Sequence, residues 1–128
     1  MEIVLTFDYV EKAIDDYLIT REVISHHFHS KGLRAFFLPK APNEFGNGCH
    51  IHISLWKDGE NVLGDSERKY GLSRDGEAFM AGILEHYNAL CHFMSPSPCS
   101  LHRISPESWT GGYKIWGVEN KEAPIRLL

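Results

Sequence analysis

Gly46-Asn47-Gly48-Cys49-His50-Ile51-His52-Ile53-Ser54-Leu55 decides how the rest of this chain is read. Side chains alternate across an extended backbone, so His50, His52 and Ser54 fall on one face and Cys49, Ile51, Ile53 and Leu55 on the other. One face is apolar enough to bury. The other presents two imidazoles and a hydroxyl just after a glycine turn whose backbone can approach a ligand closely. A strand that needed only solvation would carry Lys, Thr or Glu there, so the run predicts a strand and a site together. From spacing alone, a metal or phosphate role and a hydrogen-bonded structural role are equally open for the two imidazoles.

Downstream of this run, Lys57-Asp58-Gly59-Glu60 predicts a hairpin turn, with Asp58-Gly59 at the positive-φ positions and Val62-Leu63 as the returning arm. Upstream, residues 33–38 read as a strand ended by Pro39, and residues 40–45 as a loop. A short strand is expected at residues 3–6, then Asp8 as a helix N-cap. Val10, Ile14, Tyr17, Ile24 and Phe28 recur at helical intervals up to a stop at Gly32. Residues 64–74 read as a polar surface loop. A second amphipathic helix is expected from Asp75, carrying Phe79, Met80, Ile83, Leu84, Tyr87, Leu90, Cys91 and Met94, and Ser95-Pro96-Ser97-Pro98 ends it. A Gly111-Gly112 turn, a strand over 113–118, a tight Glu119-Asn120-Lys121 connection and a strand over 125–128 complete the chain. The expected class is α+β: an antiparallel sheet with two long helices packed on one side.

The 128 residues suit one domain able to bury roughly two-thirds of its unfolded surface. A hydrophobic content of 43% with 23% charged residues argues against disorder. The net charge of −4 argues against a general nucleic-acid or membrane-surface role, since phosphates and anionic lipids both repel it. No apolar run reaches membrane-span length, and Met1-Glu2-Ile3-Val4 lacks the layout of a signal peptide. Three cysteines without CxxC spacing read as reduced thiols of a cytoplasmic protein. Apolar runs at both ends, Ile3-Val4-Leu5 and Ile125-Arg126-Leu127-Leu128, look like strands cut within a sheet, so a fragment is expected.

Of the eight histidines, His26, His27 and His29 fall in the last turns of the first helix, where imidazoles interact favourably with the macrodipole. His86 and His92 are six residues apart on the second helix and face different sides. A basic group near the end comprises His102, Arg103, Lys114, Lys121 and Arg126. Lys121 and Arg126 flank a predicted chain reversal and could project into one anionic pocket; a solvated face is the competing reading.

The order of these motifs resembles the catalytic domain of glutamine synthetase, and more closely the branch containing glutamate–amine ligases. The resemblance runs through Glu2-Ile3-Val4, Phe37-Leu38-Pro39-Lys40, the Gly46–Leu55 run, Ser100-Leu101-His102-Arg103, Trp116-Gly117-Val118-Glu119-Asn120-Lys121 and Ala123-Pro124-Ile125-Arg126. It therefore covers residues 1–128 as part of such a domain, without the family's N-terminal domain or the C-terminal end. It implies that ATP phosphorylates the γ-carboxylate of glutamate and an amine then displaces phosphate, with Mg²⁺ or Mn²⁺ gathering the transferring oxygens. Glu2 and His50 match ligands of the two metal sites. His52 and Ser54 match nucleotide contacts, with Lys121 and Arg126 as the basic pair near the phosphates. Gly46 matches backbone that approaches glutamate, and Arg103 the arginine that binds its carboxylate. Arg103 and Arg126 carry the implied catalytic roles. Family members form rings of identical subunits.

The departures from the family pattern are informative. Lys40-Ala41-Pro42 inserts a residue into a Lys-Pro loop, and Phe45 stands where a small or amide residue is usual. Lys121 replaces an arginine and loses its two-pronged grip on phosphate. Trp109 falls where ammonia-using members carry a glutamate that helps form the ammonium site. An indole cannot deprotonate a cation, so a bulkier amine, such as a polyamine or another primary amine, is expected at the substrate-binding position of Trp109. With one implied ligand for each metal, the isolated chain is expected to be inactive. The alternatives are a non-catalytic structural member of the family, and a binuclear metal hydrolase, which would need a barrel of about 250 residues.

Overall fold

The computed structural model describes residues 2–41, 46–106 and 109–127. The chain divides into two units, residues 1–37 and residues 38–128. Both kinds of regular structure are present, and the α+β class holds.

In the first unit, α1 spans Val10–His29. Its C-terminus closes as the periodicity predicts. Gly32 adopts φ +72, the Gly32 N–H donates to the His29 carbonyl at 3.0 Å, and the Leu33 N–H donates to Phe28 at 2.9 Å. These are the paired bonds of a Schellman stop, in which glycine bears the left-handed conformation without a Cβ penalty. Its N-terminus differs from expectation. Tyr9 is the capping residue, and the Asp8 carboxylate instead accepts from the Tyr9 N–H at 2.8 Å and pairs with Lys12. No residue of α1 is buried. The strands expected at residues 3–6 and 33–38 are absent, because no described segment pairs with either and a strand exists only through its ladder.

The second unit opens with the same correction. Residues 47–55 make no ladder and are not a strand, and regular pairing begins at β1 (Trp56–Lys57). β1 pairs antiparallel with β2 (Glu60–Asn61), and φ values of +52 at Asp58 and +85 at Gly59 give the predicted hairpin turn. The returning arm starts two residues before Val62, whose N–H reaches the Leu55 carbonyl at 2.8 Å.

Residues 64–74 are more ordered than a surface loop. Gly64 bridges Leu72, Lys69–Gly71 forms a 3₁₀ turn, and Arg68 joins the Leu72 carbonyl to the Glu77 carboxylate. Ser73 caps α2 (Arg74–Glu85), accepting from the Gly76 N–H at 2.9 Å while its hydroxyl donates to Val62. Gly76 is buried at the Leu63 carbonyl, where a Cβ would collide with backbone.

The single long second helix of the sequence reading is two helices. α2 passes into α3 (Tyr87–Met94) through His86 at φ −90, ψ 9, while bonds from His86 to Gly82 and from Leu90 to His86 continue the ladder across the bend. A further helix, α4 (Pro98–Arg103), follows the segment expected only to terminate one. Ser97 caps it and Pro98 occupies its first turn, where a missing N–H costs nothing.

β3 (Trp116–Val118) and β4 (Ile125–Leu127) pair in parallel register, Trp116 opposite Ile125 and Val118 opposite Leu127. The chain loops and resumes its direction, so Lys121 and Arg126 do not flank a reversal. Glu119 at φ +50 and two bonds to Asn120, from the Ala123 N–H and the Glu122 N–H, make so short a parallel connection possible. Among the described residues, Met80 and Ala123 are the buried apolar side chains. No helix is long and apolar enough to cross a membrane. Residues 42–45, with the Phe45 departure, and Leu128 lie outside the described residues.

Candidate functional site

The glycine turn is held from both sides. Lys40 bridges Gly46; the Asn47 N–H donates to the Pro39 carbonyl and the Asn47 side-chain amide to the Leu38 carbonyl, both at 2.8 Å. Arg103, at the end of α4, lies across this turn. Its Nε donates to the Asn47 carbonyl at 3.1 Å, and a Cβ on Gly46 would clash with its Cδ and Nε. Glycine is therefore what lets the half-buried Arg103 side chain pass this close to the backbone. Gly46 and Arg103, singled out separately in the sequence, are neighbours in space.

His50 and His52 are exposed, and the His50 ring folds back over Gly48, whose added Cβ would stand 3.2 Å from Nε2. Ser54 is half-buried and its hydroxyl accepts from the Trp56 indole N–H at 2.9 Å. Glu2 is exposed in the first unit. A carboxylate and an imidazole are the right donor types for a divalent metal. Among the described residues, however, no three of His, Cys, Asp and Glu come together. Catalytic metal sites normally draw on about three protein ligands, so Glu2 and His50 each supply a suitable donor without completing a site.

Trp109 has φ +55, in the left-handed region, and its N–H donates to Glu122 Oε1 at 2.6 Å. The ammonium of Lys121 stands 4.8 Å from the centroid of the Trp109 ring. Thr110 Oγ1 bonds both the N–H and the carbonyl of Ser105. Gly111 is buried at φ +65 against Pro124, and the Tyr87 hydroxyl donates to its carbonyl at 3.1 Å. Burial, followed by the neighbouring Cys91 thiol, pushes the Tyr87 pKa up to about 12. Arg126 is half-buried in β4.

Two contributors were not singled out in the sequence. Asn47 carries a local signal, a side-chain amide within a glycine turn. Glu122 carries none, since only the tertiary fold sets its carboxylate against the backbone of Trp109.

Residues 1–128 match the family model described as the glutamine synthetase catalytic domain. The chain is 36% identical over 117 residues to a gamma-glutamylpolyamine synthetase of Streptomyces coelicolor, covering 91% of this chain and 25% of that protein. It is 40% identical over 131 residues to a glutamine synthetase of Pyrococcus furiosus, covering 98% and 28%. It is 35% identical over 127 residues to type-1 glutamine synthetase 1 of Dictyostelium discoideum, covering 96% and 26%. The chain thus spans about a quarter of the length of these relatives.

Proposed function

This chain belongs to the glutamine synthetase catalytic-domain family, and from that premise we propose that it supplies part of the site of an ATP-dependent glutamate–amine ligase. The reaction joins the γ-carboxyl group of glutamate to an amine through a γ-glutamyl phosphate. The observation that carries the reading is Arg103, half-buried, laid over Gly46 and tied to Asn47. A guanidinium tethered through Nε leaves its two terminal nitrogens for two-pronged recognition of a carboxylate, and Gly46 lets it sit this close to the turn. Lys121 and Arg126 would hold negative charge on the phosphates, and His52 and Ser54 would contact the nucleotide. Bound Mg²⁺ or Mn²⁺ neutralises phosphoryl oxygens in such chemistry, and Glu2 and His50 would each offer one donor. The indole at position 109 supports an amine larger than ammonia, and so does the similarity to a polyamine synthetase.

A second reading, a non-catalytic family member, is favoured by the absence of any three-donor group among the described residues. Amine-dependent phosphate release, measured on a longer polypeptide bearing this segment, separates the two. Release that depends on glutamate and on an alkylamine supports the ligase. Strong preference for ammonia would remove the larger amine, and no release with any amine would leave the non-catalytic reading. The 128-residue chain alone is expected to bind ATP and Mg²⁺ weakly and to show no turnover.

A further inference from the structure

Trp109 holds a backbone conformation that bulky residues rarely adopt, with φ +55 in the left-handed region. Glycine would take it freely, so a large side chain stays there only if its surroundings hold it. The Trp109 N–H donates to Glu122 Oε1 at 2.6 Å, and bonds to a carboxylate are roughly twice as strong as neutral ones. The carboxylate comes from a segment that is itself fixed. Glu122 is half-buried, its N–H donates to Asn120 Oδ1 at 2.9 Å, and the Ala123 N–H donates to the Asn120 carbonyl at 3.2 Å. Two residues further along both segments, Gly111 packs on Pro124, so residues 109 and 111 meet 122 and 124 in step. The far end of the turn has its own anchor, the Tyr87 hydroxyl on the Gly111 carbonyl.

We infer that Glu122 is a positioning residue: its carboxylate holds Trp109 in the left-handed conformation and so sets where the indole stands, without itself touching substrate. The consequence for turnover rests on the amine-ligase reading; the pinning of the turn does not. Glutamine at position 122 keeps an acceptor oxygen for the N–H. Alanine leaves that N–H to water and lets the backbone of Trp109 relax toward negative φ. The Tyr87 and Pro124 anchors remain in either case, so the fold survives and the indole alone loses its place.

The test uses a longer polypeptide bearing this segment and pairs a structural readout with a kinetic one. Amide hydrogen exchange is followed by mass spectrometry on the peptide containing Trp109. Exchange at Trp109 should quicken about tenfold or more in Glu122→Ala and stay within about threefold of the parent in Glu122→Gln. With glutamate and ATP saturating, Glu122→Ala should raise the alkylamine KM by about tenfold while kcat and the ATP KM change less than about twofold. Glu122→Gln should recover most of that loss. The exposed hairpin variant Glu60→Ala removes one negative charge elsewhere and should move neither readout. In a Trp109→Gly background there is no indole to place and no strained backbone to hold, so Glu122→Ala should add less than about twofold.

Unchanged exchange at Trp109 in Glu122→Ala would overturn the inference. So would a Glu122→Gln variant as impaired as Glu122→Ala, since the role would then need the charge rather than an acceptor for the N–H. A full effect of Glu122→Ala in the Trp109→Gly background would also sink it, because Glu122 would then act independently of Trp109. The two readings fail separately. No ligation, with exchange that still follows Glu122, removes the ligase and keeps the pinning. Alkylamine ligation whose KM ignores Glu122→Ala removes the positioning role and keeps the ligase.

Discussion

Arg103 over the Gly46 turn and Lys121 over the Trp109 turn are two cations laid against two loops, held by different means. Arg103 is half-buried, makes a directional bond to the Asn47 carbonyl, and fills the space a Cβ would take. Lys121 is exposed and rests on an indole, a contact that fixes distance more than direction. The backbones beneath them differ in the opposite sense. Under Arg103 the close approach is to a flexible side chain. Beneath Trp109 it is to backbone, with Gly111 packed on Pro124 and Trp109 itself in a left-handed conformation. One turn therefore presents an oriented cation, and the other a rigid platform with a movable one.

The largest effect that would break this contrast is on substrate affinity. In a longer ligase bearing this segment, Arg103→Lys keeps the charge but loses the fork. It should raise the glutamate KM by about tenfold or more with the ATP KM little changed, in line with the roughly 1.5–3 kcal/mol of a charge-assisted pair. A uniform fall in kcat with no KM change would show that orientation at Arg103 does not matter. The next effect is on stability, and it separates the two turns. Gly111→Ala should cost about 1–2 kcal/mol in denaturant unfolding from its left-handed backbone alone, with the Pro124 contact adding to it. Gly46→Ala should cost less, because only the Arg103 side chain must move, yet it should raise the glutamate KM in the same direction as Arg103→Lys. Equal stability losses at the two glycines would erase the distinction.

The smallest effect is a pH dependence on the Trp109 side. Tyr87 in the folded chain holds its proton to about pH 12, whereas an unfolded tyrosine releases it near 10. The folded state then binds more protons above pH 10, so its stability falls as pH rises from about 10 toward 12 and is unaffected below. One of the five tyrosines should ionise last in an absorbance titration, and Tyr87→Phe should remove that part of the alkaline slope. A Tyr87 that titrates with the others would loosen the Gly111 anchor.

Much of the local structure was legible. The Schellman stop at Gly32 and the Asp58-Gly59 turn follow from which residues tolerate positive φ, a property of one or two positions. Ser97-Pro98 carries two meanings, and the sequence reading took only the stop. Proline stops the helix before it and starts the one after it, and only the second meaning places Arg103. The strands at residues 3–6, 33–38 and 47–55 were not legible in the same way. Alternation of side chains says which face could be buried, while a ladder needs a partner that alternation does not supply.

The sequence by itself determined the helix periodicity, the turn residues and the order of motifs that places the chain in its family. These are carried by individual φ preferences and by side-chain identity, which act over a few residues. The tertiary structure alone decided that Arg103 lies on a turn containing Asn47, 56 residues away. It also decided that β3 and β4 run parallel, and that Lys121 and Glu122 meet Trp109. Those contacts arise where packing brings distant backbone together, and no local preference encodes them.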